Sequence, residues 1–112
     1  GSEMCIRDSL VIDQEEPFLY PYALFTMGRI RAKQDRWPDA YQFYEQSRQI
    51  AEMNDDRFLL AYAWRAVGEI QIQQSENEKG MAALTQSLRL FESMGIESEV
   101  KTTKQRMSAI RE

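Results

Sequence analysis

Two acidic pairs, Glu15-Glu16 and Asp55-Asp56, are the side chains whose spacing could support acid–base work or cation binding. The rest of the inventory restricts the chemistry. The 112 residues contain no histidine and one cysteine, Cys5, so Ser–His and Cys–His nucleophilic catalysis are excluded. A zinc site would have to rest on one thiolate and carboxylates, and no intramolecular disulfide can form. Any enzyme would have to use Asp, Glu, Lys and Tyr alone. The acidic pairs also fit a structural role, since a carboxylate at the start of a helix is favoured by the helix dipole. No enzymatic activity, cofactor or metal is therefore expected. A different set offers recognition chemistry: arginines interleaved with aromatic residues, as in Tyr22, Phe25, Arg29 and in Tyr62, Arg65. A guanidinium can fork onto a carboxylate and stack on a ring.

Those residues need elements to hold them, and composition says what kind. Hydrophobic residues make up 43% of the chain, enough for the core of one small domain. Apolar runs stay well short of the roughly 18 residues that span a bilayer. A net charge of −4 argues against nucleic acid and anionic lipid as partners. A cytoplasmic location is expected.

The chain is similar to itself at an offset of forty residues. Leu10, Ile50 and Leu90 coincide, as do Met27, Val67 and Met107, then Gly28, Gly68 and Ser108, then Ile30, Ile70 and Ile110. Tyr22 meets Tyr62, Ala23 meets Ala63, Tyr44 meets Leu84 and Ser47 meets Ser87. Fixed-period self-similarity marks a repeat array. Each repeat holds two helical patterns, over 18–34 and 38–53, then over 57–74 and 78–94, and a last helix is predicted over 97–111. The first-type stripe is Leu24, Met27, Ile30 and Trp64, Val67, Ile70. The second-type stripe is Ala40, Phe43, Tyr44, Ser47, Ile50, Ala51 and Met81, Leu84, Leu88, Phe91. Pro38 suits a first helical turn, Ser75 or Asn77 is the candidate cap of the fourth helix, and Gly95 the candidate C-cap of that helix. The last helix is expected to carry a solvated face of Glu99, Lys101, Lys104 and Arg111. A mid-helix glycine costs about 1 kcal/mol relative to Ala, so Gly28 and Gly68 imply close helix packing that offsets this cost. On that reasoning Gly68→Leu is destabilising, while Gly80→Ala is near neutral or mildly stabilising because Ala40 occupies the matching place.

At these positions the chain resembles the tetratricopeptide repeat. The family pattern of a large apolar residue, Leu and Gly in the first helix is matched by Leu24, Met27, Gly28 and by Trp64, Val67, Gly68. At its Ala, aromatic and Ala positions of the second helix the chain has Ala40, Tyr44 and Ser47, then Gly80, Leu84 and Ser87. Trp37 stands where the family has an aromatic before the second helix. The proline at the end of that helix is missing, and the period is forty rather than about thirty-four. This longer form is similar to repeats of large bacterial regulators and helical sensor domains.

The resemblance implies an all-α, right-handed superhelical array of antiparallel hairpins: repeat 1 over 17–56, repeat 2 over 57–96 and a capping helix over 97–112. It implies a protein- or peptide-binding scaffold whose first helices line a concave groove, with Tyr22, Phe25, Arg29, Tyr62, Arg65, Glu69, Gln105 and Arg106 on the groove side. A structural or self-associating segment without a free ligand, or a sensor segment of a multidomain bacterial regulator, are the alternatives. A homodimer through the N-terminal end, by way of Phe18, Leu19 and Leu24, is expected at high concentration. Gly1-Ser2 resembles a scar of tag removal, and MCIRDS at 4–9 resembles translated sequencing-adapter DNA from an environmental read, so 1–8 are set apart. Residues 9–16 then read as the tail of a truncated upstream repeat, or alternatively as a short strand, SLVID.

Overall fold

The structure, a computed structural model, describes residues 19–110. It contains five α-helices, which hold 87% of those residues, and no strand among them. They are α1 (Tyr20–Lys33), α2 (Trp37–Met53), α3 (Arg57–Gln73), α4 (Asn77–Met94) and α5 (Glu97–Ile110). Each packs on its neighbour in sequence, and α1 also touches α3, giving a body of 54 × 31 × 20 Å. The expectations for residues 1–18, including the adapter-like segment, the truncated repeat and Phe18, lie outside the described residues.

The helices α2 to α5 begin at 37, 57, 77 and 97, a step of twenty, because one turn is used four times. Each link passes through one residue of left-handed backbone: Asp35 (φ 59°), Asp55 (56°), Ser75 (66°) and Gly95 (69°). At each link the same two hydrogen bonds close the preceding helix. The Asp35 amide donates to the Ala32 carbonyl and Arg36 to Arg31. Asp55 donates likewise to Glu52 and Asp56 to Ala51; Ser75 to Ile72 and Glu76 to Gln71; Gly95 to Glu92 and Ile96 to Phe91. This pairing satisfies helix-end carbonyls that would otherwise lack partners. Gly95, expected as the C-cap of α4, is that cap. Ser75, expected as a cap, instead takes the left-handed step; Asn77 is already helical, and Glu76 enters α4 without a side-chain cap bond. Asp56 does cap α3, its Oδ1 accepting from the Leu59 amide at 3.1 Å, while its neighbour Asp55 makes the turn. Pro38 lies in the first turn of α2 as its sequence suggested.

The forty-residue period appears in side-chain bonds as well. Ser47 Oγ donates to the Pro21 carbonyl and Ser87 Oγ to the Ala61 carbonyl, both at 2.8 Å and both fully buried, so each hairpin is pinned at the same place. The core runs through α3, the middle helix, which is flanked by α2 and α4 and buries Leu59, Ala63, Val67 and Ile70. Leu24, Tyr44, Leu84 and Phe91 complete it. Ile30, expected on the buried stripe, is 42% exposed where its counterpart Ile70 is 3%; among the described residues α3 is flanked by both α2 and α4, and α1 mainly by α2.

Close packing is reached differently in the two hairpins. A Cβ at Gly28 would sit 2.6 Å from the Tyr44 ring, so a buried aromatic fills the space above that glycine. In the second hairpin the backbones themselves meet: a Cβ at Gly68 would lie 2.8 Å from the Gly80 carbonyl oxygen, and one at Gly80 would lie 2.8 Å from the Gly68 oxygen. The expectation that Gly80→Ala is near neutral is therefore overturned. Ala40 is accommodated fully buried in the first hairpin, but Gly80 stands against the Gly68 backbone, which cannot rotate away. Ser108, the third copy of the small position, is exposed.

Candidate functional site

Phe25 and Arg29 lie one turn apart on α1, and Tyr62, Arg65 with Ala66, and Glu69 fall on successive turns of α3. With Tyr44 of α2 and Arg106 of α5 they line a groove of about 390 Å³. Six of the eight positions expected from the sequence thus come together: Phe25, Arg29, Tyr62, Arg65, Glu69 and Arg106.

Arg65 is the most constrained of them. It is 8% exposed, and its guanidinium lies 5.2 Å from the centre of the Tyr62 ring and 5.0 Å from that of Phe91. Its Nη2 is 2.7 Å from Glu99 Oε1, and its Nη1 donates to Thr103 Oγ1 at 3.0 Å. Tyr62 donates its hydroxyl to the other Glu99 oxygen at 3.0 Å, and Thr103, fully buried, donates back to the Glu99 carbonyl at 2.8 Å. The bond from Arg65 holds the Glu99 carboxyl below the usual carboxylate range, with the Tyr62 hydroxyl adding to the effect. Burial, followed by the bond to Glu99, pushes the Tyr62 hydroxyl up. The donors of Arg65 are thus directed at α5, and the residue fixes the groove wall. This corrects the assignment of Glu99 to a solvated face. Nothing in its spacing from Lys101 and Lys104 marked it; the available signal was its i, i+4 relation to Thr103, on the side of α5 that meets α3.

The remaining cations are accessible. Arg106 pairs with Glu69, both partly exposed. Arg29 is exposed and has no hydrogen-bond or ion-pair partner among the described residues. Phe25 and Tyr44 meet at 5.2 Å with their rings tilted by 52°. Burial, then the Glu69 charge, pushes the Tyr44 hydroxyl up to about 12, and Arg29 partly opposes the shift. The groove therefore presents guanidinium donors beside aromatic faces, an arrangement suited to carboxylates and flat apolar groups.

Two expected positions fall elsewhere. Tyr22 donates its hydroxyl to Asp56 Oδ2 at 2.8 Å, tying α1 to the turn between α2 and α3; burial and that bond push its hydroxyl up to about 12. Gln105 lies on the outer side of α5, in a cleft with Val100, Lys101, Lys104 and Ser108. Its neighbour Arg106, about 100° further round the helix, is the one that reaches Glu69 and the groove.

A second cavity of about 430 Å³, unforeseen in the sequence, continues the first. It shares Tyr44, Ala66, Glu69 and Arg106 with it and adds an apolar wall that includes Trp37, Ile70, Ile72 and Ile110. Trp37 had been noticed as an aromatic preceding a helix; that it walls a cavity depends on the approach of α3 and α5, which no local pattern carries. Among the described residues no cluster of Cys, Asp and Glu could hold a metal ion, and no helix is long and apolar enough to cross a membrane. Compared with models of protein families, with curated proteins and with solved structures, the chain matches none.

Proposed function

We propose that the chain is a tetratricopeptide-like module, a right-handed superhelical array whose concave groove binds a segment of a partner protein. The convergence of six groove positions from α1, α3 and α5 around one cavity carries this reading. The groove residues are exposed or half-buried except Arg65 and the small or aromatic floor of Ala66 and Tyr44, so a ligand meets side chains already in place. The test is selection of a displayed random-peptide library on the full chain, followed by hydrogen–deuterium exchange of the chain with recovered peptides. Protection is expected in segments 22–29, 62–69 and 103–110. Failure to recover any peptide, or protection confined to the outer side of α4, would refute the proposal.

A second reading, a self-associating segment, is favoured by one observation. Leu19, Tyr20, Met53 and Phe58 are 53%, 40%, 83% and 48% exposed, and all belong to the edge where α1 begins, α2 ends and α3 begins. The contact would run through this edge. Leu24, expected to take part in it, is 7% exposed and belongs to the core.

A further inference from the structure

The two concave cavities differ in chemistry and share walls, and together they specify a ligand more closely than either alone. The first is lined by three guanidinium groups, Arg29, Arg65 and Arg106, against the one carboxylate of Glu69, in a chain whose net charge is −4. The groove thus has the opposite sign to the molecule. Arg65 is committed to Glu99 and Thr103. The Glu69–Arg106 pair is partly exposed on both sides, and ion pairs of that kind contribute little net stability, so Arg106 can exchange its partner. Arg29 has no carboxylate partner among the described residues. The second cavity supplies the apolar surface of Trp37, Ile72 and Ile110.

From this charge complementarity we infer that the groove takes an internal segment of a partner protein in which an Asp or Glu side chain stands next to a large apolar residue. Arg29 and Arg106 receive the carboxylate, which displaces Glu69, and the apolar side chain enters the compartment of Trp37 and Ile110. An internal segment fits because the two cavities are continuous through Tyr44, Ala66, Glu69 and Arg106. The inference rests on the reading of the groove as a peptide site.

The peptides recovered in the selection decide it. They are remade acetylated and amidated, so that every carboxylate is a side chain, and their binding is measured by fluorescence anisotropy. Recovered sequences are expected to carry Asp or Glu beside Trp, Phe, Leu or Ile. Exchanging the acidic residue for its amide, or making Arg29→Glu in the chain, should weaken binding by about tenfold or more, the usual loss of a charge-assisted bond. Glu69→Gln removes the internal competitor and should tighten binding. Arg89→Glu, which lies in neither cavity, should leave it unchanged. Neutral or basic recovered peptides would overturn the inference while leaving a peptide groove standing, as would acidic peptides indifferent to both Arg29→Glu and Glu69→Gln. Binding that requires a free C-terminal carboxylate, or a single-stranded oligonucleotide that binds more tightly than every peptide, would also overturn it. Recovery of no peptide would overturn both readings.

Discussion

Gly80→Ala sets two known effects against each other at one atom. Alanine gains helix propensity of at most about 1 kcal/mol over glycine, and less at the fourth residue of α4 than in mid-helix. Against this, the new Cβ would stand 2.5 Å from Ile72 Cγ1, 3.0 Å from its Cδ1 and 2.8 Å from the Gly68 carbonyl oxygen. Ile72 can turn off its rotamer for about 1 kcal/mol. The carbonyl belongs to the α3 backbone and can yield only if the two helices separate, and overpacking of this kind costs about 1–3 kcal/mol. The net expectation is a loss of about 1–3 kcal/mol, or a fall in Tm of about 5–15 °C for a domain of this size. Circular dichroism at 222 nm, with thermal and urea melts, measures it. Ile72→Ala removes only the side-chain part of the collision, so in its background the penalty of Gly80→Ala should shrink without disappearing. A Tm for Gly80→Ala equal to or above that of the parent chain would refute the reciprocal backbone contact. Gly68→Leu, which drives a full side chain toward the Gly80 carbonyl, Ala83 and Leu84, should cost about 3 kcal/mol.

The turn geometry predicts that Ser75→Gly stabilises the chain by up to about 1 kcal/mol, because left-handed backbone costs an L-residue about 1–2 kcal/mol. Gly95→Ala should lose about 1 kcal/mol although its Cβ would touch nothing, and urea titration separates the two signs. Glu99→Gln leaves the buried Arg65 without a counter-charge and should cost about 2 kcal/mol at neutral pH. Since the folded carboxyl is held below its unfolded value, its contribution is present above the unfolded value near pH 4.3 and disappears as pH falls through the folded one. The gap in stability between parent and Glu99→Gln should therefore narrow on acidification, and a gap constant from pH 7 to pH 2 would contradict the assignment. If the exposed edge mediates self-association, Met53→Glu should move the sedimentation coefficient toward the monomer at high concentration without changing the melt.

What the sequence disclosed followed from what repeats in it. The small residues Gly28 and Gly68 and the paired Ser47 and Ser87 recur at forty, so helix order and boundaries could be read from periodicity. The step of twenty could not, because neighbouring helices of a hairpin bury different faces and share no residue pattern. Its mark is the backbone of Asp35, Asp55 and Ser75, and only at Gly95 does the residue type advertise the left-handed turn. The groove was legible to the extent that helical spacing fixes a face: Phe25 with Arg29, and Tyr62 with Arg65 and Glu69. It failed for Tyr22, which bonds Asp56 instead, and for Gln105, which faces the cleft beside Lys101 and Lys104. The Glu99–Arg65–Thr103 network stayed hidden because a charged residue on a terminal helix looks the same in sequence whether water or a buried guanidinium faces it. The role of Gly80 depended on how near α3 approaches α4, a tertiary quantity.

The uniform turn separates the rule for joining helices from the rule for using them. A helix-and-turn unit of twenty residues would splice into the backbone through the same turn, since every junction is closed by the same two bonds. Side chains obey a longer cycle, and Ser47 and Ser87 keep it. Duplicating one unit would put the array out of phase: residues that line the groove would arrive where pinning serines are needed, and the serines would face the groove. Only copying in pairs preserves phase. The chain can therefore lengthen or shorten by forty residues with its groove continuous, whereas a change of twenty would leave every joint sound and the inner surface scrambled.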